Sequence, residues 1–228
     1  EIDLLKLLIF SLAMPYKMIR GETRATMTEK TRRTKKRDFD QIFSDTFIGT
    51  IGEIAFKKFA EQKFSKEIKL DWDIGTEIYT FKSDIADARK IVSIKSTDTL
   101  ESVWAEAPKT ANYGIFIKAA LPKDFFMKIL AYISSLKKLL VFVEERLEKN
   151  DRFIDLLRFI EKIAFEESMT IKAYVCGFFA PSQNTLKKKG EQLPFLGEVN
   201  EDKHLLECNR LKYSREDWSK FFEDVLPI

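Results

Sequence analysis

The sequence predicts an α/β domain: a central mixed β-sheet flanked by helices. Three observations lead there. Apolar residues recur at helical spacing near both ends of the chain and through its middle. Between them, 68–97 breaks into short runs rich in Ile, Val, Tyr and Trp, parted by turn residues. Two more strand-like runs stand on either side of the central helical stretch, so the order is helix, strand meander, strand, helices, strand.

Leu4, Leu5, Leu8, Ile9 and Leu12 predict a first helix that ends at Pro15. The apolar run is too short to span a bilayer. It follows Glu1 and Asp3 rather than a basic segment, which argues for a core helix over a signal peptide. A second helix is predicted over 47–64, with Ile51, Ile54, Ala55, Phe59 and Phe64 on one side and Glu53 in its first turn. IKLDWDI, EIYTF and KIVSIKST then read as antiparallel strands, and NYGIFIKAAL (112–121) as another strand closed by Pro122. Helical spacing returns over 124–149, behind an Asp N-cap, and over 151–168. TIKAYVCGFFAP (170–181) is a strand, Lys187–Lys189 the basic centre of a loop, and 214–225 a last helix capped by Ser214.

Bulk composition narrows the class. With 228 residues, 45% hydrophobic and 33% charged, the chain can bury a core, so disorder is not the expectation. The 20 Phe supply much of that core. Two cysteines and one histidine, His204, offer no zinc spacing and no disulfide framework, which points to a reducing cytoplasm. No Gly-rich phosphate loop is present, so no nucleotide cofactor is expected. Net charge is only +3, but 17–37 carries Lys17, Arg20, Arg24, Lys30, Arg32, Arg33, Lys35, Lys36 and Arg37 against Glu22 and Glu29. That run is either a solvated basic loop or an arm that contacts phosphates. Lys187, Lys188 and Lys189 form a second candidate.

The chemistry concentrates in Ser83-Asp84-Ile85 and Ile91-Val92-Ser93-Ile94-Lys95. Alternation in a strand turns Ser93 and Lys95 one way, Val92 and Ile94 the other. A hairpin return would bring Asp84 beside Ser93 and Lys95. A hard cation such as Mg²⁺ takes oxygen ligands and one or two carboxylates, which Asp84 and the Ile94 carbonyl can supply. Lys95 would then orient the attacking water and offset charge growing on a phosphate. Plain structural roles compete: Asp84 as a turn residue, Lys95 as an edge-strand charge, Glu53 as a first-turn helix charge.

Over roughly Gly49 to Trp104 the chain resembles the PD-(D/E)XK nuclease superfamily. GTIGEIAFKKF is similar to its first core helix, which often carries a metal-facing glutamate, here Glu53. SDI is similar to its metal-binding aspartate motif, and VSIKST to the strand bearing (D/E)XK. The acidic position is Ser93 here. Some restriction enzymes of the superfamily also have serine there and recruit a glutamate from the following helix, a place that Glu106, or else Glu101, would fill. The resemblance implies a restriction-endonuclease-like fold in one domain, 1–228, with a catalytic core over 47–121 and a helical layer or insertion over 124–168. It implies catalytic residues Asp84, Lys95, Glu53, Ser93 and Glu106, and metal ligands Asp84, Glu53, Ile94 and Glu106. Size and the helical stretch look most like a type II restriction endonuclease: a homodimer cutting double-stranded DNA with Mg²⁺, for which Mn²⁺ can substitute. The alternatives are a structure-selective or repair nuclease on the same scaffold, and a nucleic-acid-binding protein with a decayed site.

Overall fold

The computed structural model describes residues 2–20, 38–72, 83–122, 141, 142, 145 and 171–227. Within them the chain forms a mixed α/β fold with three helices and small sheets. No described helix is long and apolar enough to cross a membrane.

Helix α1 (Ile2–Ile19) runs through Pro15 instead of stopping there. Proline removes one backbone bond from a helix, yet Leu7, Leu8, Pro15 and Met18 are all buried. Packing of α1 against α2, where Leu7 and Leu8 join the core, helps offset the lost bond. Helix α2 (Phe39–Phe64) begins eight residues before its predicted start. Asp38 caps it, accepting the Gln41 N–H at 3.0 Å. Phe39, Phe43 and Phe47 extend the apolar side backwards, so Glu53 sits mid-helix and the first-turn reading of its charge falls.

The strands are β1 (Val92–Thr97), β2 (Trp104–Pro108), β3 (Tyr113–Ala120), β4 (Lys172–Phe179), β5 (Leu186–Lys187), β6 (Gln192–Leu193), β7 (Gly197–Glu198) and β8 (Lys203–Glu207). The central sheet has the order β1-β3-β4. β1 and β3 are parallel and β3 and β4 antiparallel, which makes it mixed, as predicted. A second sheet, β2-β8-β5, is antiparallel, and β6 and β7 form a separate ribbon. Helix α3 (Arg215–Val225) starts at Ser214, whose hydroxyl accepts the Asp217 N–H at 3.1 Å.

The central sheet is covered on both faces. Val92, Ile94, Ile115 and Ile117 belong to the core that holds Phe47, Ile54 and Phe56 of α2 and Trp218, Phe221 and Phe222 of α3. Phe116 and Phe179 pack instead with Ala105 and Ala107 of β2 and with Leu211. Burial on both sides explains why β3 reads as a near-continuous apolar run.

The predicted meander over 68–97 survives in part. Leu70 bridges Ile85 in antiparallel fashion, and 73–82 lie outside the described residues. The predicted helices over 124–168 also lie outside them, apart from Val141, Phe142 and Glu145; Val141 and Phe142 are helical and exposed.

Candidate metal centre at the edge of the central sheet

β1 is an edge strand, and its open side faces the Ser83-Asp84 segment. The Asp84 N–H donates to the Val92 carbonyl at 2.9 Å. The Val92 N–H donates to the Ser83 hydroxyl at 3.2 Å. The Ile94 N–H donates to Asp84 Oδ2 at 2.6 Å. A backbone with a two-residue repeat turns the N–H and C=O of Val92 to this edge, and those of Ile94 likewise. The Ile94 carbonyl is therefore set on the side where the Asp84 carboxylate lies.

Glu53 reaches the same place from α2. The reason is the close approach of α2 to β1 at Gly52. A Cβ there would stand 2.5 Å from Ser96 Cβ and 2.6 Å from its Oγ. Only a glycine leaves room for Ser96, whose hydroxyl donates to the Ile48 carbonyl at 2.6 Å. The neighbouring residue, Glu53, is thereby held over the edge of β1.

Glu53, Asp84 and Lys95 form one electrostatic unit. Burial pushes the Glu53 carboxyl well above the usual carboxylate range; Asp84 and, less strongly, Asp71 add to that, and Lys95 opposes it. Burial likewise pushes Asp84 up to about 6, against the pull of Lys95 and of the Ile94 N–H and with a further push from Asp71. Buried carboxylates gathered around one ammonium are short of positive charge.

Asp71 is the member that sequence reasoning missed. Its N–H donates to the Asp84 carbonyl at 3.3 Å, and the Leu70–Ile85 bridge puts the two aspartates directly opposite each other. The apolar-polar alternation of Ile68, Leu70 and Trp72 around Lys69 and Asp71 marked a strand face, but nothing local marked its partner.

Other predicted residues separate from this group. Glu106 was expected on a helix after Lys95. It lies instead in β2, on the second sheet, and pairs with Lys203 at 2.7 Å. Its charge is not among those acting on Glu53 or Asp84. Glu53 is the glutamate at the site. Glu101 is exposed in the turn before β2. Ser93 follows the predicted alternation, and its buried hydroxyl has no hydrogen-bond partner among the described residues. His204 is buried against Thr185, Nδ1 to Oγ1 at 3.0 Å, a structural contact.

The cationic candidates divide too. Arg20 closes α1, its guanidinium 5.7 Å from the Tyr16 ring centroid. Arg24, Lys30, Arg32, Arg33, Lys35, Lys36 and Arg37 lie outside the described residues. Lys187 pairs with Glu191 at 2.8 Å and Lys188 with Asp202 at 3.0 Å, while the Lys189 N–H donates to Asp202 at 3.0 Å. Acids therefore offset part of that basic run.

Among the described residues no group of three or more His, Cys, Asp and Glu side chains is arranged to hold a metal ion. The oxygen donors nearest to forming a set are Asp84, tied to the Ile94 N–H on the edge of β1, the Ile94 carbonyl on that same edge, and Glu53, whose charge acts together with that of Asp84. Mg²⁺ is held by one or two carboxylates with waters completing its shell, so this donor set fits it, whereas a softer metal seeking nitrogen or sulfur is not served. No protein-family model, curated protein or solved structure matches the chain.

Proposed function

We propose that the protein hydrolyses DNA phosphodiester bonds with Mg²⁺ held at this sheet edge, on a restriction-endonuclease-like core. The reading is supported by the edge of β1, where the Ile94 N–H holds Asp84 and the close approach at Gly52 brings in α2 with Glu53, and by the mutual electrostatic influence of Glu53, Asp84 and Lys95, within which both carboxyl pKa values are raised. Asp84, Glu53 and the Ile94 carbonyl would hold the cation. Bound there, it would polarise a phosphate oxygen and make a bound water more acidic.

The chain's own groups do the rest. The Ile94 N–H fixes one oxygen of Asp84, so the carboxylate cannot swing away. Lys95 offsets charge growing on the phosphate and orients the water that attacks it. Gly52 and Ser96 keep α2, and with it Glu53, at its distance from β1. The finer reading, sequence-specific double-strand cleavage by a homodimer, rests on the family resemblance and on the match between a two-fold protein and a palindromic site.

Incubating plasmid DNA with the protein in Mg²⁺ and in chelator tests the reading. Cleavage that needs the cation and is lost in Asp84→Asn is the expected result. Discrete fragments would mark a sequence-specific enzyme, and cleavage confined to branched DNA a structure-selective one. Binding without any cleavage would leave a nucleic-acid-binding protein instead.

A further inference from the structure

The β6–β7 ribbon carries an unusual tip. Phe195 is 92% exposed and holds a left-handed φ of 63°. A bulky side chain at positive φ is uncommon, and such strain persists only where the surroundings impose it. Here they do. The Trp104 indole N–H donates to the Pro194 carbonyl at 2.7 Å. At the ribbon's foot the Gly190 N–H donates to the Val199 carbonyl at 2.8 Å, and the Val199 N–H to the Glu191 carbonyl at 2.9 Å. The Lys187–Glu191 pair and the ties from Lys188 and Lys189 to Asp202 lock the same foot.

A rigid ribbon thus holds an aromatic ring out in water. Its two strands pair Gln192 directly with Glu198, both exposed. Its foot carries exposed Lys188 and Lys189, and its anchor, Trp104, opens the strand that follows β1.

We propose that this ribbon enters the major groove of duplex DNA and reads sequence there. The inference rests on the nuclease reading for its choice of partner. The groove is about 12 Å wide and admits a two-stranded ribbon. Glutamine suits adenine, a carboxylate accepts from the cytosine amino group, and an aromatic ring suits the thymine methyl. Gln192, Glu198 and Phe195 supply one of each on a single projection. Lys189, exposed at the ribbon's foot and tied to Asp202 only through its backbone N–H, stands where a groove-wall phosphate would pass.

The test is selection of bound duplexes from a randomised pool in Ca²⁺, to hold DNA uncut, with wild type, Phe195→Ala, Gln192→Ala and Lys189→Ala. The first two variants should bind the wild type's preferred duplex about tenfold more weakly or worse and lose preference at one or two positions. They should keep wild-type affinity for scrambled DNA and the same salt dependence. Lys189→Ala should weaken binding to all sequences alike. Unchanged preferences in Phe195→Ala and Gln192→Ala would overturn the proposal, even if the wild type cuts DNA. So would a Phe195→Ala effect seen only as a change in oligomeric state by sedimentation. If the wild type selects sequences through the ribbon but never cuts, the proposal stands and the nuclease reading fails. If the wild type binds no DNA, both fall.

Discussion

Asp71 stands opposite Asp84 beside the isolated antiparallel Leu70–Ile85 bridge, with the Asp71 N–H donating to the Asp84 carbonyl at 3.3 Å. Like charges in directly opposed positions of a ladder destabilise it. Asp71 raises the pKa of both Asp84 and Glu53. A cation bound beside the pair would relieve that repulsion.

Asp84→Asn and Lys95→Ala should each lower DNA cleavage by about a thousandfold or more, the scale on which single charge-stabilising groups act. Circular dichroism should show an unchanged fold, because Asp84→Asn keeps an oxygen for the Ile94 N–H. Full activity in either variant would remove the assigned roles.

The two glutamates separate cleanly. Glu53→Gln should lose cleavage and weaken Mn²⁺ binding measured by calorimetry, whereas Glu106→Gln should cut as well as wild type. The Lys203 pair that it weakens is worth about 1 kcal/mol or less, as a contact partly open to solvent. The reverse pattern would return Glu106 to the site.

Stability should follow pH with a defined sign. Asp84 rises from 3.8 to about 6 on folding, and Glu53 shifts the same way, so the native state holds these protons more tightly. Without divalent cation, the stability these two groups contribute should be fully present below about pH 4 and be lost as pH climbs through about 6, a loss that Asp84→Asn should reduce. Added Mg²⁺ should raise the melting temperature most above pH 6, where the carboxylates are ionised, and little near pH 4. A Mg²⁺ effect equal at every pH would argue against binding at these groups. Thermal melts across pH 4–8, with and without Mg²⁺, measure it.

Two glycines in one helix should respond oppositely. A Cβ at Gly52 collides with Ser96, so Gly52→Ala should cost about 1–3 kcal/mol by overpacking and lower cleavage by moving Glu53. A Cβ at Gly49 meets nothing within 4 Å, so Gly49→Ala should stabilise the helix by up to about 1 kcal/mol. Chemical denaturation of both variants distinguishes a steric role from a general one.

The strand bearing Ser93 and Lys95 was legible because alternation is local: Val92 and Ile94 enter the core as their spacing requires. The start of α2 was legible in principle, since Asp38 precedes Phe39, Ile42, Phe43 and Phe47 at helical spacing. The Gly-flanked stretch after Phe47 drew the boundary too late. β2 was missed because Ala105 and Ala107 are weak strand formers, however well they fit against Phe116. Asp71 and the paired state of Glu106 were out of reach, because each depends on a partner from a distant segment. Pattern reveals which face a side chain takes, but not which strand will lie beside it.

The aromatic packing around Phe56 has a consequence for timing. Phe56 lies one turn beyond Glu53, and its ring packs on Trp218, Phe221 and Phe222 of α3. A chain growing from its N-terminus makes α2 and β1 long before α3 exists to clamp them. Any cleavage by the proposed site would thus await the docking of that helix, which packs on the ring one turn from Glu53.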